Sequence, residues 1–244
     1  MKKLIVANWK MYLTLRESVA LAKKFTDISS QFTDVQLVLC PSFIALEEVA
    51  KVLKRTKIKL GAQDVEPEKR GAFTGEVGLD DLREIGVQYV LVGHSERRRL
   101  FGETDAIVNK KVRAVLNAGM WPIICVGEPL EVRKGGVQKV RRYVGTQVRK
   151  ALRGVEKRHL NRVIVAYEPV WAIGTDRVDT PEDAQMINQI IRENLAVKKI
   201  PILYGGSVNA KNAETFTRGV GIDGLLIGRA SSEIGQLRRI IRSI

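Results

Sequence analysis

Glu168 closes the apolar run RVIVAY (162–167) and opens the segment EPVWAIGT, which puts a carboxylate at the edge of a hydrophobic stretch. A buried carboxylate is costly unless its site uses it, so residues in the same situation elsewhere in the chain matter. Four other apolar runs end in a similar way. KLIVAN (3–8) leads through Asn8 to Lys10, and YVLVG (89–93) leads to His94 and Ser95. PILYGG (201–206) leads through Gly205 and Gly206 to Ser207, and DGLLIG (223–228) leads through Gly228 to Arg229. A carboxylate can take a proton from a carbon next to a carbonyl, while an ammonium and an imidazole stabilise the charge that develops on oxygen. Glycine turns let backbone N–H groups come close to a phosphate. Taken singly, each residue has an ordinary reading as a surface lysine, a structural histidine, a loop cap or a chain-turning glycine. Taken together they describe proton abstraction and return on a phosphate-bearing small molecule, with no metal and no cofactor.

Such distant residues need a scaffold that gathers them. Besides the five runs above, VQLVLC (35–40), IKLGAQ (58–63) and PIICVG (122–127) also read as short strands. Nearly all are continuously apolar, the pattern of strands buried on both faces of a parallel sheet. Helical segments separate them, among them ESVALAKKF, FIALEEVAKVLKR and TPEDAQMINQIIRENL, the last with Thr180 and Pro181 as its start. Eight strand-then-helix units without a linker predict one α/β domain over 1–244, a closed (β/α)8 barrel of eight parallel strands with outer helices. A doubly wound open sheet is the alternative, but ANWKMYLTL after the first strand has no glycine for a dinucleotide turn. In a barrel, the carboxyl ends of the strands form one mouth, where the residues above would meet.

The 244 residues, 45% hydrophobic and 28% charged, contain no apolar stretch near membrane-spanning length, and KKLIVANWK lacks a signal-peptide pattern. A cytoplasmic protein with no membrane partner is expected. Cys40 and Cys125 each close an apolar run without CxxC spacing, so buried free thiols are expected rather than a zinc site. The 41 Lys and Arg against 27 Asp and Glu give a net charge of +14, which favours anionic ligands. The basic stretch 138–159 keeps Val140, Val144, Val148, Leu152 and Val155 at helical spacing, so its charges read as the solvated face of an amphipathic helix and nucleic acid is not an expected partner.

ANWKM (7–11), VGHSERR (92–98), AYEPVWAIGT (166–175) and YGGSV (204–208) resemble the motifs of the triosephosphate isomerase family, in the same order along the chain from about residue 4 to about residue 230. The resemblance implies interconversion of dihydroxyacetone phosphate and D-glyceraldehyde 3-phosphate through an enediolate, a step of glycolysis and gluconeogenesis. It implies Glu168 as base, His94 as a neutral electrophile, Lys10 as the substrate-binding cation that neutralises phosphate and enediolate charge, and Asn8 as a positioning group that also binds substrate. Backbone N–H groups of Gly174, Ser207, Gly228 and Arg229 would hold the phosphate. The segment at about 169–179 would be a closing lid with Trp171 as an apolar anchor. GAFTGE (71–76) resembles the family's long third loop, which implies a homodimer through loop 65–78, including Thr74. Arg98 and Glu103 match a bracing ion pair, and SERRRLF reads as a helix with Ser95 as its cap.

Three segments depart from the usual pattern, at six positions. Arg229 stands where a second glycine is common, Asp176, Arg177, Val178 and Asp179 replace small residues at the lid's far hinge, and Pro129 follows Glu128 in place of a threonine. Two rival readings keep the fold. One is a non-catalytic barrel that binds RNA or another polyanion, and the other is a different sugar-phosphate barrel enzyme.

Overall fold

The structure is a computed structural model that describes residues 2–173, 179–197, 199–218 and 221–244. Its strands are β1 (Lys3–Asn8), β2 (Val35–Cys40), β3 (Lys59–Ala62), β4 (Tyr89–Val92), β5 (Trp121–Val126), β6 (Ile164–Tyr167), β7 (Ile202–Tyr204) and β8 (Gly224–Ile227). Each is hydrogen-bonded in parallel to the next, and β8 returns to β1 with Gly224 opposite Leu4 and Ile227 opposite Ala7, closing the barrel. This is the expected (β/α)8 barrel. The outer helices include Leu15–Ile28, Phe43–Leu53, Asp105–Asn117, Val137–Ala151 and Pro181–Glu193.

The two-residue period of a strand sorts the apolar runs into two cores. Leu4, Val6, Val38, Cys40, Leu91, Ile123, Cys125, Ile164, Ala166, Leu203 and Leu226 fill the barrel interior. The alternate residues, such as Ile5, Ala7, Leu37, Leu39, Ile124 and Val165, pack outward against the helices. Val140, Val144 and Val148 are buried on the Val137–Ala151 helix while Lys139, Arg142, Arg149 and Lys150 are exposed, so the basic stretch is an amphipathic helix as far as Ala151; the expected continuation is corrected, because Leu152 is the C-cap and Val155 lies beyond the helix. Both cysteines are buried and free. Among the described residues no helix is long and apolar enough to cross a membrane.

The inward series continues past the strand ends and defines the mouth. From Val6 it runs to Asn8, from Cys125 to Gly127, from Ala166 to Glu168, from Leu203 to Gly205 and from Leu226 to Gly228. One of these positions carries the carboxylate and two beside it are bare, because a Cβ on Gly127 would lie 1.7 Å from the Glu168 carbonyl oxygen and one on Gly205 would lie 3.3 Å from Glu168 Cγ. We predict that Gly127→Ala lowers the unfolding free energy by about 2–4 kcal/mol, the scale of overpacking against backbone. Urea denaturation measures this, and an unchanged midpoint would show that the β5–β6 seam yields freely.

Candidate active site

Glu168 is 2% exposed, and each of its oxygens has a partner. Oε1 lies 2.9 Å from His94 Nε2, and Oε2 accepts the Ser95 N–H at 2.8 Å. The chain reaches this arrangement through Gly93, whose φ of +72° breaks the strand alternation and turns His94 toward the mouth. His94, not Ser95, caps the Ser95–Leu100 helix, with Nδ1 accepting the Glu96 N–H at 3.2 Å. The expected Ser95 cap is therefore displaced by one residue: Ser95 is already helical, and its N–H is spent on Glu168. A ring nitrogen that accepts an N–H carries no proton. The neutral imidazole with its proton on Nε2 thus satisfies both contacts, donating to Glu168 and accepting from the helix.

Burial raises the pKa of Glu168, but the charge and hydrogen bond of His94 and the Ser95 N–H outweigh it and hold the carboxyl below its usual value. In His94, burial works downward and the Glu168 carboxylate outweighs it, so the imidazole is held up. Lys10 pushes both groups down. Its ammonium stands 2.6 Å from Glu96 Oε1, a partner that the sequence did not signal. Lys10 is also the one non-glycine residue with positive φ (+49°) among the described residues. Such a conformation persists only when its surroundings impose it. Asn8 Oδ1 accepts the Lys10 N–H at 3.0 Å, and Gln63 Nε2 donates to the Lys10 and Cys40 carbonyls at 2.9 Å each.

These groups face a cavity of about 580 Å³ that Ser207, Gly228 and Arg229 also line. The structure therefore brings Asn8, Lys10, His94, Glu168, Ser207, Gly228 and Arg229 to one mouth, while Gly174 lies outside the described residues, as do positions 175–178 of the expected lid. The described start of that segment is tethered. Trp171 Nε1 donates to Glu128 Oε1 at 2.9 Å, the Arg133 guanidinium lies 5.1 Å from the Trp171 ring centroid, and Ser207 Oγ donates to the Ala172 carbonyl at 3.1 Å. The Trp171 anchor is thus polar as well as apolar. Glu128 is fully buried and also accepts the Tyr167 hydroxyl at 3.2 Å, and burial raises its pKa. Its position just past Gly127 at a strand end was a signal of the same kind as Glu168.

One further expectation is corrected. Arg98 does not pair with Glu103. It pairs with Asp105 at 2.8 Å, while Glu103 pairs with Lys111 at 2.9 Å and Arg97 at 3.3 Å, and Lys111 and Arg97 share Asp64 at 2.6 and 2.7 Å. Neighbouring helical residues point about 100° apart, so Arg97 and Arg98 serve different acids. At the far hinge, Asp179 is buried. It is 3% exposed, it is hydrogen-bonded to Tyr204, and burial followed by the like charge of Asp183 pushes it up to about 7.

A closed barrel with a carboxylate–imidazole pair, a lysine and glycine turns at the carboxyl ends of its strands defines an enzyme of the (β/α)8 class. Known proteins narrow this further. A model of the family described as triosephosphate isomerase matches residues 3–244. Triosephosphate isomerase of Aquifex aeolicus is 44% identical over 100% of both chains, that of Dictyoglomus thermophilum 42% over 99% of both, and that of Carboxydothermus hydrogenoformans 43% over 99% of this chain and 98% of the relative. The chain belongs to the triosephosphate isomerase family.

Two titrations check these electrostatics. Glu168→Gln removes the larger of the two carboxylate charges that hold His94 up and leaves burial and Lys10 against Glu96 alone, so the His94 imidazole is expected to titrate lower than in the parent. With two histidines in the chain the NMR signals are few, and an unmoved midpoint would show that the pair is not coupled. For Asp179 the folded pKa lies above the ordinary 3.8. Its protonation therefore contributes stability that is complete below about pH 4 and lost as pH rises to about 7. The stability of Asp179→Asn relative to the parent is expected to grow by about 1–3 kcal/mol between pH 5 and 8 in urea denaturation. A difference independent of pH would contradict that environment.

Proposed function

We propose that Glu168 is the base and His94 the electrophile with which this isomerase interconverts dihydroxyacetone phosphate and D-glyceraldehyde 3-phosphate through an enediolate, using no cofactor. The observation that carries the reading is the buried Glu168, held at 2.9 Å by His94 Nε2 and at 2.8 Å by the Ser95 N–H in a cavity shared with Lys10. Glu168 takes a proton from C1 of the ketone and returns it to C2, while the hydroxyl proton on O1 passes to O2, a transfer between neighbouring oxygens that the Nε2–H of His94 can relay. The carbonyl oxygens gain negative charge during that transfer, and the Nε2–H of His94 and the Lys10 ammonium stabilise it.

The arrangement in the structure is the resting one, because both oxygens of Glu168 are engaged by protein groups. To meet a substrate carbon the side chain gives up these partners, which are what depress its pKa. The released carboxylate is the stronger base. The same movement removes from His94 the larger of the two carboxylate charges that hold its pKa up, so that burial and Lys10, which favour the neutral ring, are opposed only by the smaller effect of Glu96. Substrate phosphate is proposed to sit against the backbone N–H groups of Ser207, Gly228 and Arg229, with Gly174 as a fourth donor and Asn8 as a positioning group for the reacting end.

We place the reaction in the cytoplasm, where free buried thiols such as Cys40 and Cys125 are the common state. We further propose a homodimer through loop 65–78. Thr74 and Phe73 on this loop are exposed, as are Met11 (92%), Ile44 and Phe101, an amount of uncovered apolar surface that a second copy would bury.

Purified protein given dihydroxyacetone phosphate without metal or cofactor is expected to form glyceraldehyde 3-phosphate, and a folded protein without turnover would overturn the reading. Glu168→Gln should lower kcat by roughly 10² or more, the scale of a lost general base, with circular dichroism unchanged. Near-parental turnover would mean that the base is another residue. Sedimentation should give twice the chain mass for the parent and a shift toward monomer for Thr74→Arg; a monomeric parent at micromolar concentration would remove the dimer.

A further inference from the structure

We propose that the guanidinium of Arg229 is itself a ligand of the substrate phosphate, adding a charged side-chain contact to the backbone N–H groups. This rests on the proposed placement of the phosphate, and it concerns the position at which the sequence leaves the family's usual glycine. If only a backbone N–H were needed at 229, any residue would supply it, so the side chain's surroundings decide the matter.

Arg229 follows Gly228 at the end of β8 and opens a short helical turn, Arg229–Ser232, on the cavity wall. That turn is fixed from below. Ser231 is fully buried, its Oγ donates to the carbonyls of Ile227 at 3.0 Å and Gly228 at 2.7 Å, and its own carbonyl accepts the Trp9 indole N–H at 3.1 Å. The long side chain therefore leaves from a rigid point. Its guanidinium carbon lies 5.9 Å from the centroid of the Tyr12 ring, and Tyr12 lines the same cavity. At that distance, near the outer limit of a cation–π contact, the ring orients the group without occupying its N–H donors.

Several arginines of the barrel are committed to carboxylates, and Arg229 is not. Among the described residues, Arg97, Arg98, Arg133 and Arg192 each form an ion pair with a carboxylate, and Arg229 forms none. Of the cavity's other cations, Lys10 is already engaged by Glu96 at 2.6 Å. Arg99 has no ion pair among the described residues, but it follows the His94 end of the mouth in sequence rather than Gly228. The one carboxylate close by in the chain, Glu233, accepts Gln236 Nε2 at 2.6 Å. An unpaired guanidinium next to a glycine turn, with a planar array of donors, matches a phosphate dianion in geometry and charge.

Titration calorimetry with inorganic phosphate tests this without requiring turnover. Arg229→Gln, which keeps length and polarity but removes the charge, is expected to bind phosphate about tenfold more weakly at low salt, with the difference shrinking as ionic strength rises because the group is exposed. Arg229→Lys should recover part of the affinity. In the isomerase assay the loss should appear in KM for dihydroxyacetone phosphate rather than in kcat. Phosphate affinity within twofold of the parent in Arg229→Gln would overturn the proposal, as would a fall in kcat at unchanged phosphate affinity. A parent that binds phosphate but does not turn over would instead indict the assignment of the base, so the two failures are distinguishable.

Discussion

The double grip on the Glu168 carboxylate is the constraint around which the mouth of the barrel is built. Carrying a charge at an inward position, directly above the apolar interior, is tolerable only if hydrogen bonds replace the lost water. His94 and Ser95 supply them from a strand end 73 positions away in sequence, and only closure of the barrel brings the two together. The neighbours are correspondingly small. Gly127 and Gly205 leave the space that the Glu168 backbone and side chain fill, and Cys125, the inward residue below Gly127, is a thiol that burial and the nearby carboxylate keep protonated.

The same logic of paired burial extends outward from the site. Asp64, Glu103, Lys111 and Arg97 form a compact ion cluster around the Ser95–Leu100 helix. Removing one member would leave an uncompensated charge, so such a cluster fixes geometry more than it adds net stability. It holds the helix whose first turn supplies the Ser95 N–H to Glu168 and the Glu96 N–H to His94, its cap. On the other side of Glu168, the buried Glu128 binds Tyr167 and Trp171, so the residues just before and just after Glu168 are tied to one carboxylate. Part of the excess positive charge of the chain lies on solvated faces such as that of the Val137–Ala151 helix, where it adds to the general field of the molecule.

The fold was legible because parallel strands buried on both faces are continuously apolar. Each run read from the sequence overlaps its strand to within two residues at either end. The mouth was legible because polar or glycine residues at the ends of apolar runs have few other reasons to occur together. What escaped depends on side-chain direction rather than residue type. Ser95 has the composition of a cap, yet the cap is His94, because the turn at Gly93 starts the helix one residue earlier than composition suggests. Arg98 and Glu103 are near in sequence, but the helix sends Arg97 toward Glu103 and Arg98 toward Asp105. Asp179 read only as one charge of the hinge, and nothing in its residue type or spacing signalled that it is buried beside Tyr204.

The resting contacts of Glu168 bear on reactivity as well as on stability. A carboxylate that accepts two hydrogen bonds is a weak base, and one left in water is no stronger than its ordinary pKa allows. In the proposed reaction the side chain moves from the first state into a cavity whose polar groups, His94 and Lys10, are aimed at the substrate's oxygens rather than at the base. The backbone that held it does not need to move: Glu168 N–H stays bonded to the Val126 carbonyl at 2.8 Å, and the Tyr167 carbonyl accepts the Gly205 N–H at 2.7 Å. Rotation about side-chain bonds alone then converts a stored carboxylate into a reactive one. The cost of burying it, the rigidity of the strand ends and the strength of the base are consequences of a single placement.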